Sequence, residues 1–346
     1  MTEDTDREHP PGLDLERLRT YLDDNHPGFR NGSLRAELIQ GGRSNLTYRL
    51  TDGEHEWVLR RPPLGHVLAT AHDMGREYRV VSALADTGVP VPRTHLLCTE
   101  DQVIGAPFYV MDFVPGRTYR SAEEIGTLDR RQRRELALRM TETLARLHEI
   151  DPDSVGLSDF GRPEGFLHRQ LRRWSKQLDA SYSREIPGIV ELRDRLAETV
   201  PENGPTAVVH GDYRLDNLLA DENGEIRAVL DWEMATLGDP LTDLGLLVVY
   251  WEGLSGIRNN PVATGVGPEH GFPPARELLD HYAAHSGIDV SGLDWYVAFG
   301  FFKIAVILEG IHYRYTQGKT VGDGFEHVGD MVEPLVRQGL SNTQEI

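Results

Sequence analysis

The stretch His210-Gly-Asp-Tyr-Arg-Leu-Asp-Asn217, followed by Asp231-Trp-Glu233 at the end of an apolar run, decides the fold of this chain. Asp212 supplies a carboxylate that can accept a proton from a hydroxyl group. Asn217 and Asp231 supply an amide and a second carboxylate, and Mg²⁺ prefers such hard oxygen ligands and normally takes one or two carboxylates from a protein. The pattern predicts a proton acceptor beside a magnesium site.

The flanking segments indicate how these side chains are held. Residues 207–210 and 226–230 are short β-prone runs, and residues 220–225 between them are typical of a hairpin turn centred on Asn223-Gly224. An isolated Asp in a loop often only closes a turn or caps a helix. The complete set of one histidine, two aspartates and one asparagine around one hairpin favours a catalytic role instead.

Composition excludes several classes of protein. The chain has 346 residues, 39% of them hydrophobic and 26% charged, which suits one large or two ordinary domains. The net charge of −19 argues against nucleic-acid binding, because phosphate backbones favour clustered Lys and Arg. The single cysteine, Cys98, excludes a disulfide framework and a Cys-rich zinc site.

The same sequence favours a cytoplasmic protein that does not bind membranes. Residues 1–12 are polar and acidic, unlike a secretory signal peptide. The apolar stretch at residues 295–308 is shorter than the roughly 20 residues that cross a bilayer, and it contains Lys303. We therefore expect a buried helix there, and the oligomeric state stays open.

Hydrophobic periodicity predicts an α+β chain with two lobes. The predicted helices cover residues 14–25, 73–86 and 130–148. The predicted strands cover residues 36–39, 46–50, 57–60 and 108–113. Because Pro115-Gly116 interrupts the pattern, we predict a β-rich N-terminal lobe over residues 1–113 and a helical C-terminal lobe over residues 114–346.

With these residues placed, the chain resembles the aminoglycoside phosphotransferase and choline kinase superfamily, and within it the kinase-like domain fused to some acyl-CoA dehydrogenases. The resemblance covers about residues 33–315, and its strongest motifs are residues 210–217 and 230–240. It implies a bilobal protein-kinase-like fold and transfer of the γ-phosphoryl group of ATP to a hydroxyl of a small molecule, with Mg²⁺. ATP and GTP remain alternative donors.

The resemblance also implies residue roles. Asp212 resembles the base that accepts the hydroxyl proton, and Asn217 and Asp231 resemble the magnesium ligands. Arg60 stands where the family has a phosphate-binding lysine, and Glu77 resembles the glutamate that steadies it. Arginine is not equivalent to lysine, although its planar fork can also bind phosphate.

Further roles follow from the weaker motifs. Arg61 is the alternative to Arg60 as the residue that binds the phosphates, and the alternation of side chains along a strand favours Arg60 facing the site. His210 resembles a residue that orders the loop, and Asp243 resembles an acid that braces it. Four further residues are expected to contact the nucleotide. Ser44 and Asn45 lie in the predicted nucleotide loop, which lacks a G-x-G-x-x-G motif, and Met111 and Phe113 lie in a segment that resembles the hinge whose backbone contacts the adenine.

A cluster of basic residues at 169–176, here called the basic island, bears on the identity of the phosphoryl acceptor. If residues 169–176 are helical, one face carries Arg169, Arg172, Arg173 and Lys176. This face is either solvated or an anchor for an anionic substrate, such as a carboxylate or the phosphates of a coenzyme A thioester. The resemblance to the dehydrogenase-linked kinases implies a hydroxyl on an acyl chain as the acceptor, which is an anionic metabolite of hydroxyacyl type. A basic face counts against polycationic aminoglycosides. Glu309 on a late helix is a candidate pocket residue, with structural pairing as its alternative.

Two other functions stay open. A nucleotide-binding pseudokinase-like module without turnover would explain Arg60, but the complete set of catalytic residues counts against it. A metal phosphohydrolase built on His210 and Asp212 would need further His and Asp ligands at matched positions. The sequence shows no second convincing cluster of this kind among its 14 histidines.

Overall fold

A computed structural model describes residues 10–39, 45–64, 72–202, 204–254, 266–319 and 325–344. The chain divides into two compact units. The first comprises Met1–Pro115 with Asp231–Glu233, and the second comprises Gly116–Leu230 with Met234–Ile346. The predicted α+β class is confirmed, since the first unit is built on a sheet and the second mainly on helices.

The first unit contains a five-stranded antiparallel sheet in the order β1-β2-β3-β5-β4. Its strands are β1 (Arg35–Leu38), β2 (Leu46–Thr51), β3 (Glu56–Arg61), β4 (Thr94–Cys98) and β5 (Phe108–Asp112). On β3, Leu59 belongs to one hydrophobic cluster of buried residues and Val58 to another. Arg60 pairs with Thr47 and Tyr109 across the sheet. The central position of β3 therefore fixes Arg60 through both neighbouring strands.

Helices complete this unit, and the predicted helices at residues 14–25 and 73–86 are confirmed. They are α1 (Leu15–Asn25), α2 (Met74–Leu84) and the short α3 (Asp101–Ile104). Asp14 caps α1, and Asp73 caps α2 by accepting a hydrogen bond from the backbone N–H of Arg76 at 3.0 Å. Leu18 and Leu22 of α1 are fully buried in the core that also contains the sheet.

The second unit is mainly helical. Its helices are α4 (Ala122–Gly126), α5 (Arg130–Glu149), α6 (Phe166–Ser181), α7 (Ile189–Glu198), α8 (Leu241–Val248), α9 (Ala275–Ser286), α10 (Leu293–Thr316) and α11 (Val332–Asn342). Helix α8 continues directly into a π-helical turn at Val249–Gly253. Its strands are β6 (Ala207–Val209), β7 (Leu218–Ala220), β8 (Ile226–Val229) and β9 (Thr236–Gly238).

The predicted hairpin is confirmed. Strands β7 and β8 pair antiparallel. Gly224 has φ of +75°, a left-handed conformation that favours glycine, and its N–H donates to the carbonyl of Asp221 at 3.0 Å. The carboxylate of Asp221 accepts from the N–H groups of Asn223 at 2.9 Å and Glu225 at 3.0 Å. The turn therefore sets the register of the two strands that lie between residues 210–217 and Asp231.

Helix α10 forms the centre of the second unit and packs against α6, α7, α8 and α11. At 24 residues it is longer than the apolar stretch in the sequence, and its length and composition would allow it to cross a membrane. However, 83% of its most apolar window is buried inside the protein. It is the buried helix that the sequence predicted.

Candidate active site

The predicted catalytic loop, residues 210–217, follows β6 and begins with a turn that requires glycine. Gly211 has φ of +82°, and a Cβ atom there would lie 2.7 Å from the backbone oxygen of Met234. Such a Cβ would clash with the backbone, and relieving the clash would require a backbone shift, which is energetically unfavourable. Gly211 therefore sets the path of the chain immediately before Asp212.

Asp243 braces this turn from within the core, as the resemblance implied. Its two carboxylate oxygens accept from the backbone N–H groups of His210 and Gly211, each at 2.7 Å. His148 Nε2 lies 3.2 Å from Oδ2, and His148 Nδ1 lies 2.7 Å from the hydroxyl of Tyr282. Burial alone would raise the pKa of Asp243, but the hydrogen bond and charge of His148 hold it below the ordinary value.

His210 orders the loop through both ring nitrogens. Nδ1 accepts from the backbone N–H of Asp212 at 3.2 Å, and Nε2 donates to the carbonyl of Leu230 at 2.9 Å. These partners fix the neutral tautomer that carries its proton on Nε2. Both nitrogens bind backbone, so the imidazole is not placed to shuttle protons.

Asp212 is held in one orientation by two donors. Its Oδ1 accepts from the hydroxyl of Tyr250 at 2.7 Å, and its Oδ2 accepts from Asn217 Nδ2 at 3.2 Å. Arg214 Nε lies 3.5 Å from Oδ2. The Asp212 side chain keeps 26% of its surface exposed. The carboxylate is therefore both oriented and accessible, which a proton acceptor requires.

The sequence analysis missed Tyr250. It lies in the π-helical turn Val249–Gly253. Such turns are rare in proteins, and those that occur often lie at functional sites. Burial, followed by the charge of Asp212, raises the pKa of Tyr250 well above its ordinary value. The hydroxyl therefore stays protonated and acts as a donor to the carboxylate. No motif marks this residue in the sequence.

Lys303 is a second residue that the sequence analysis did not assign to the site. Its ammonium donates to the carbonyl of Gly211 at 2.7 Å and lies 5.5 Å from the ring centroid of Trp174. Burial lowers the pKa of Lys303, and the carboxylates of Asp212 and Asp243 oppose that effect. A lone lysine in an apolar helix was the signal that could have revealed it.

In the first unit, Arg60 joins Glu77 and Asp231 in one network. Arg60 Nη2 lies 2.9 Å from Glu77 Oε1 and 3.1 Å from Asp231 Oδ1. Glu77 is almost fully buried, and Arg60 is 12% exposed. Burial alone would lower the pKa of Arg60, but the charge of Glu77, with smaller effects from Tyr109 and Asp231, raises it. The guanidinium therefore stays charged.

The backbone at Asp231 is unusual. Its φ is +65°, the left-handed region that non-glycine residues seldom adopt. Such conformations often occur where a functional side chain must be aimed. Arg61 faces the other way, and its guanidinium donates to the backbone carbonyls of Gly12, Pro62 and Ile104. Of the two arginines, Arg60 is the one that contacts Glu77 and Asp231.

The residues expected to contact the nucleotide are placed as follows. Asn45 is buried and donates through Nδ2 to Glu233 Oε2 at 3.3 Å. Met111 is buried one residue before the end of β5, and Phe113 directly follows that strand. The guanidinium of Arg49 lies 4.5 Å from the ring centroid of Phe113. Ser44 lies outside the described residues. Their contacts with a nucleotide stay predictions.

The predicted basic island is helical, since it lies on α6, and its members differ in environment. The guanidinium of Arg169 donates to the carbonyls of Arg162 and Glu164, so it is tied to the loop before the helix. Arg172, Arg173 and Lys176 are exposed.

Glu309 is fully buried in the second unit. Its carboxylate accepts from Arg184 Nη2 at 2.7 Å and from Nε at 3.0 Å. Arg184 Nη2 also donates to the carbonyl of Gly329 at 2.7 Å. This arrangement favours the structural alternative for Glu309 over contact with substrate.

The predicted magnesium ligands have suitable chemistry. Asn217 donates through its amide nitrogen to both the backbone and the side chain of Asp212, an orientation that leaves the amide oxygen as the potential metal ligand. Asp231 offers a carboxylate whose charge Arg60 only partly neutralises. These are oxygen donors of the kind that Mg²⁺ takes. The binding of one ion by both residues stays a prediction.

Comparison with known proteins places this chemistry in a family. The profile of the Phosphotransferase enzyme family matches residues 35–278. A crystal structure from Ralstonia eutropha, provisionally assigned as an aminoglycoside phosphotransferase, is 33% identical, with a TM-score of 0.83, and the match covers 96% of this chain and 99% of that one. A thermostable mutant of an aminoglycoside phosphotransferase, in ternary complex with AMP-PNP and hygromycin B, is 16% identical. Its TM-score of 0.59, over 93% of this chain and 98% of that one, shows similarity of fold alone.

A longer protein is also similar. Acyl-CoA dehydrogenase family member 11 of Gallus gallus is 35% identical over 361 residues, which cover 100% of this chain and 45% of the relative. The chain thus spans about half the length of the curated relatives it matches. The family profile extends over most of this chain. The chain therefore belongs to the phosphotransferase enzyme family and has the protein-kinase-like fold.

Proposed function

We propose that the chain transfers the γ-phosphoryl group of ATP to a hydroxyl group of a small molecule, with Mg²⁺. The observation that carries the proposal is the orientation of Asp212, whose two oxygens are held by Tyr250 and Asn217 while the side chain stays accessible. The aminoglycoside phosphotransferase of the same fold that was solved in complex with AMP-PNP supports a nucleotide as the phosphoryl donor.

The residues of the second unit would act mainly by positioning. Asp212 orients the acceptor hydroxyl and takes its proton, and a carboxylate already fixed by two hydrogen bonds loses little freedom when the substrate binds. Asp243 and Lys303 hold the backbone at His210 and Gly211. Because phosphoryl transfer needs little covalent chemistry from the protein, such positioning supplies much of the rate enhancement.

The residues of the first unit would act on the phosphates. Arg60 is charged and only 12% exposed, so its attraction for phosphate oxygens is weakly screened. Glu77 keeps the guanidinium in place. Bound magnesium would neutralise charge that develops on the phosphate oxygens. Asp231 would supply a ligand for that ion.

For the acceptor, we propose an anionic metabolite with a hydroxyl group, such as a hydroxyacyl compound. Two cationic side chains lie close to Asp212 in the second unit, since Arg214 Nε is 3.5 Å from its carboxylate and the Lys303 ammonium donates to the carbonyl of the preceding residue, Gly211. The exposed arginines and lysine of α6 add positive charge to this unit. The name of the long relatives, acyl-CoA dehydrogenase family member 11, supports an acyl context.

A second candidate is the phosphorylation of an aminoglycoside or another antibiotic. It is favoured by the 33% identity to the Ralstonia eutropha structure. Aminoglycosides are polycations, so their binding would require acidic groups beside Asp212. Asp216 is such a group, but Arg214 contacts both carboxylates, at 3.5 Å from Asp212 Oδ2 and 3.6 Å from Asp216 Oδ2, and offsets part of their charge.

One experiment tests both candidates. The protein is incubated with ATP, Mg²⁺ and separate pools of hydroxy acids, hydroxyacyl thioesters and aminoglycosides, and mass spectrometry detects products that gain one phosphoryl group. We expect products from an anionic pool, and their loss in Asp212→Asn but not in Asp280→Asn, whose side chain is 72% exposed. Products from the aminoglycoside pool alone would establish the second candidate. Unchanged transfer by Asp212→Asn would refute the role of Asp212.

A further inference from the structure

A second cluster of potential ligands lies outside the catalytic loop. Glu142 on α5 and His281 and His285 on α9 have ligand atoms that all lie within 4.8 Å of one another. The two histidines are four residues apart on one helix, so their side chains lie on the same face. The sequence analysis missed the cluster because 139 residues separate Glu142 from His281.

The nitrogen and oxygen atoms of this cluster converge. His281 Nε2 lies 2.9 Å from Glu142 Oε1, and His285 Nε2 lies 3.9 Å from the same oxygen. The two imidazole rings have centroids 4.2 Å apart. Small rotations of these side chains would bring both Nε2 atoms and the carboxylate to the distances of about 2.0–2.2 Å at which Zn²⁺ binds nitrogen and oxygen.

The tautomer of His285 is already the one that a metal ligand needs. Its Nδ1 donates to the backbone carbonyl of His281 at 2.7 Å. This bond places the proton on Nδ1 and leaves a lone pair on Nε2, which points toward the cluster. A hydrogen bond from the other ring nitrogen to a backbone carbonyl is the usual support of metal-binding histidines.

We infer that Glu142, His281 and His285 form a binding site for a divalent transition metal ion of the zinc class. Two imidazoles and one carboxylate suit Zn²⁺, Co²⁺ or Ni²⁺ better than Mg²⁺, which prefers oxygen ligands alone. The side chains are 37%, 23% and 45% exposed, so an ion can enter and water can complete its coordination.

The bound ion would tie α5 to α9 and so stabilise the support of the catalytic loop. The same two helices are joined by the hydrogen bond between His148 and Tyr282, and Tyr282 is the neighbour of His281. His148 in turn contacts Asp243, which holds the backbone of the loop. The ion would therefore raise the stability of the second unit without contacting Asp212.

The test uses the full chain without an affinity tag, freed of metal with a chelator. We expect one equivalent of Zn²⁺ to bind in equilibrium dialysis in the presence of millimolar Mg²⁺, and Tm to rise with Zn²⁺ concentration. His281→Ala and His285→Ala should each weaken binding at least about tenfold, since even partners outside the coordination sphere contribute about 10–100-fold.

His168→Ala is the matched control, because this exposed histidine lies on α6 outside the cluster. It should bind Zn²⁺ as the unaltered chain does. A Co²⁺ complex should show visible absorption bands that disappear in His285→Ala, a readout that does not depend on catalytic activity. The inference is wrong if Zn²⁺ does not bind stoichiometrically, or if both histidine variants bind it with unchanged affinity.

Discussion

Replacement of Asp243 by asparagine tests whether the catalytic loop depends on two acceptor oxygens. In the protein, Oδ2 accepts from the backbone N–H of His210 and Oδ1 from that of Gly211, both at 2.7 Å. Asparagine has nearly the same shape but only one acceptor oxygen. In either orientation, its NH₂ group would face one of the two backbone donors.

The expected loss of stability follows from these contacts. One hydrogen bond to a charged group disappears, which contributes about 1.5–3 kcal/mol, and a buried N–H is left without a partner, which costs about 1–3 kcal/mol. We therefore expect the free energy of unfolding to fall by about 3–5 kcal/mol, the range also found when one partner of a buried ion pair is removed. Phosphoryl transfer should fall as well, because Asp243 holds the turn that precedes Asp212.

Urea denaturation followed by tryptophan fluorescence measures this change. Asp280→Asn is the control, since that carboxylate is 72% exposed and its loss should change stability by no more than about 0.5 kcal/mol. A loss below about 1 kcal/mol for Asp243→Asn would refute the account of the loop. It would mean that water or a backbone shift satisfies the displaced donor.

The effect of Asp243 also has a defined pH dependence. Its pKa in the folded protein lies below the ordinary value of 3.8, so the unfolded chain takes up the proton first as the pH falls. The stabilisation is complete above pH 3.8 and is lost as the pH falls through the lower pKa of the folded state. The difference in stability between the unaltered chain and Asp243→Asn should therefore shrink below pH 3.8 and not above it.

Substitutions at three further residues separate roles in the two units. Arg60→Met should lower kcat/KM for ATP about 100-fold or more, because it removes a buried charge, whereas Arg60→Lys should retain part of the activity in steady-state assays. Tyr250→Phe should lower kcat about tenfold, since one hydrogen bond to the charged Asp212 carboxylate is lost, and leave KM for ATP unchanged. Glu309→Gln should lower the free energy of unfolding by about 3 kcal/mol through its pair with Arg184. Its KM for the acceptor should not change, and a large rise in that KM would restore Glu309 as a substrate ligand.

Much of the fold and part of the site could be predicted from the sequence, because those features are local. The hairpin depends on a turn of a few residues centred on Asn223-Gly224, and α1 and α2 depend on a helical pattern with an aspartate cap. The choice of Arg60 over Arg61 depends on strand alternation alone. Such signals lie within a few residues of the feature that they specify.

The missed residues depend on long-range packing. Tyr250 reaches Asp212 because α8 continues into a π-helical turn, and a π-helical turn has no reliable sequence signal. Lys303 reaches the carbonyl of Gly211 from a helix 92 residues later in the chain. Glu309 was not missed, but the choice between its two predicted roles requires its pairing with Arg184, which lies 125 residues earlier in the chain. A single sequence does not reveal which distant side chains share a core.

Arg60, which stands where the family has a lysine, is the main support for the hypothesis of a nucleotide-binding pseudokinase-like module. The contacts of Arg60 in the structure weaken that hypothesis. The contacts of Arg60 with Glu77 and Asp231 both use Nη2. Among the described residues its Nε has no hydrogen-bond partner, although the atom is buried. A guanidinium has five N–H donors, so donors remain for phosphate oxygens after the two carboxylates are bound. A lysine ammonium has three, two of which the same contacts would occupy. Arginine at this position therefore preserves the ion pair with the glutamate and adds donors, which is compatible with catalysis and not a sign of its loss.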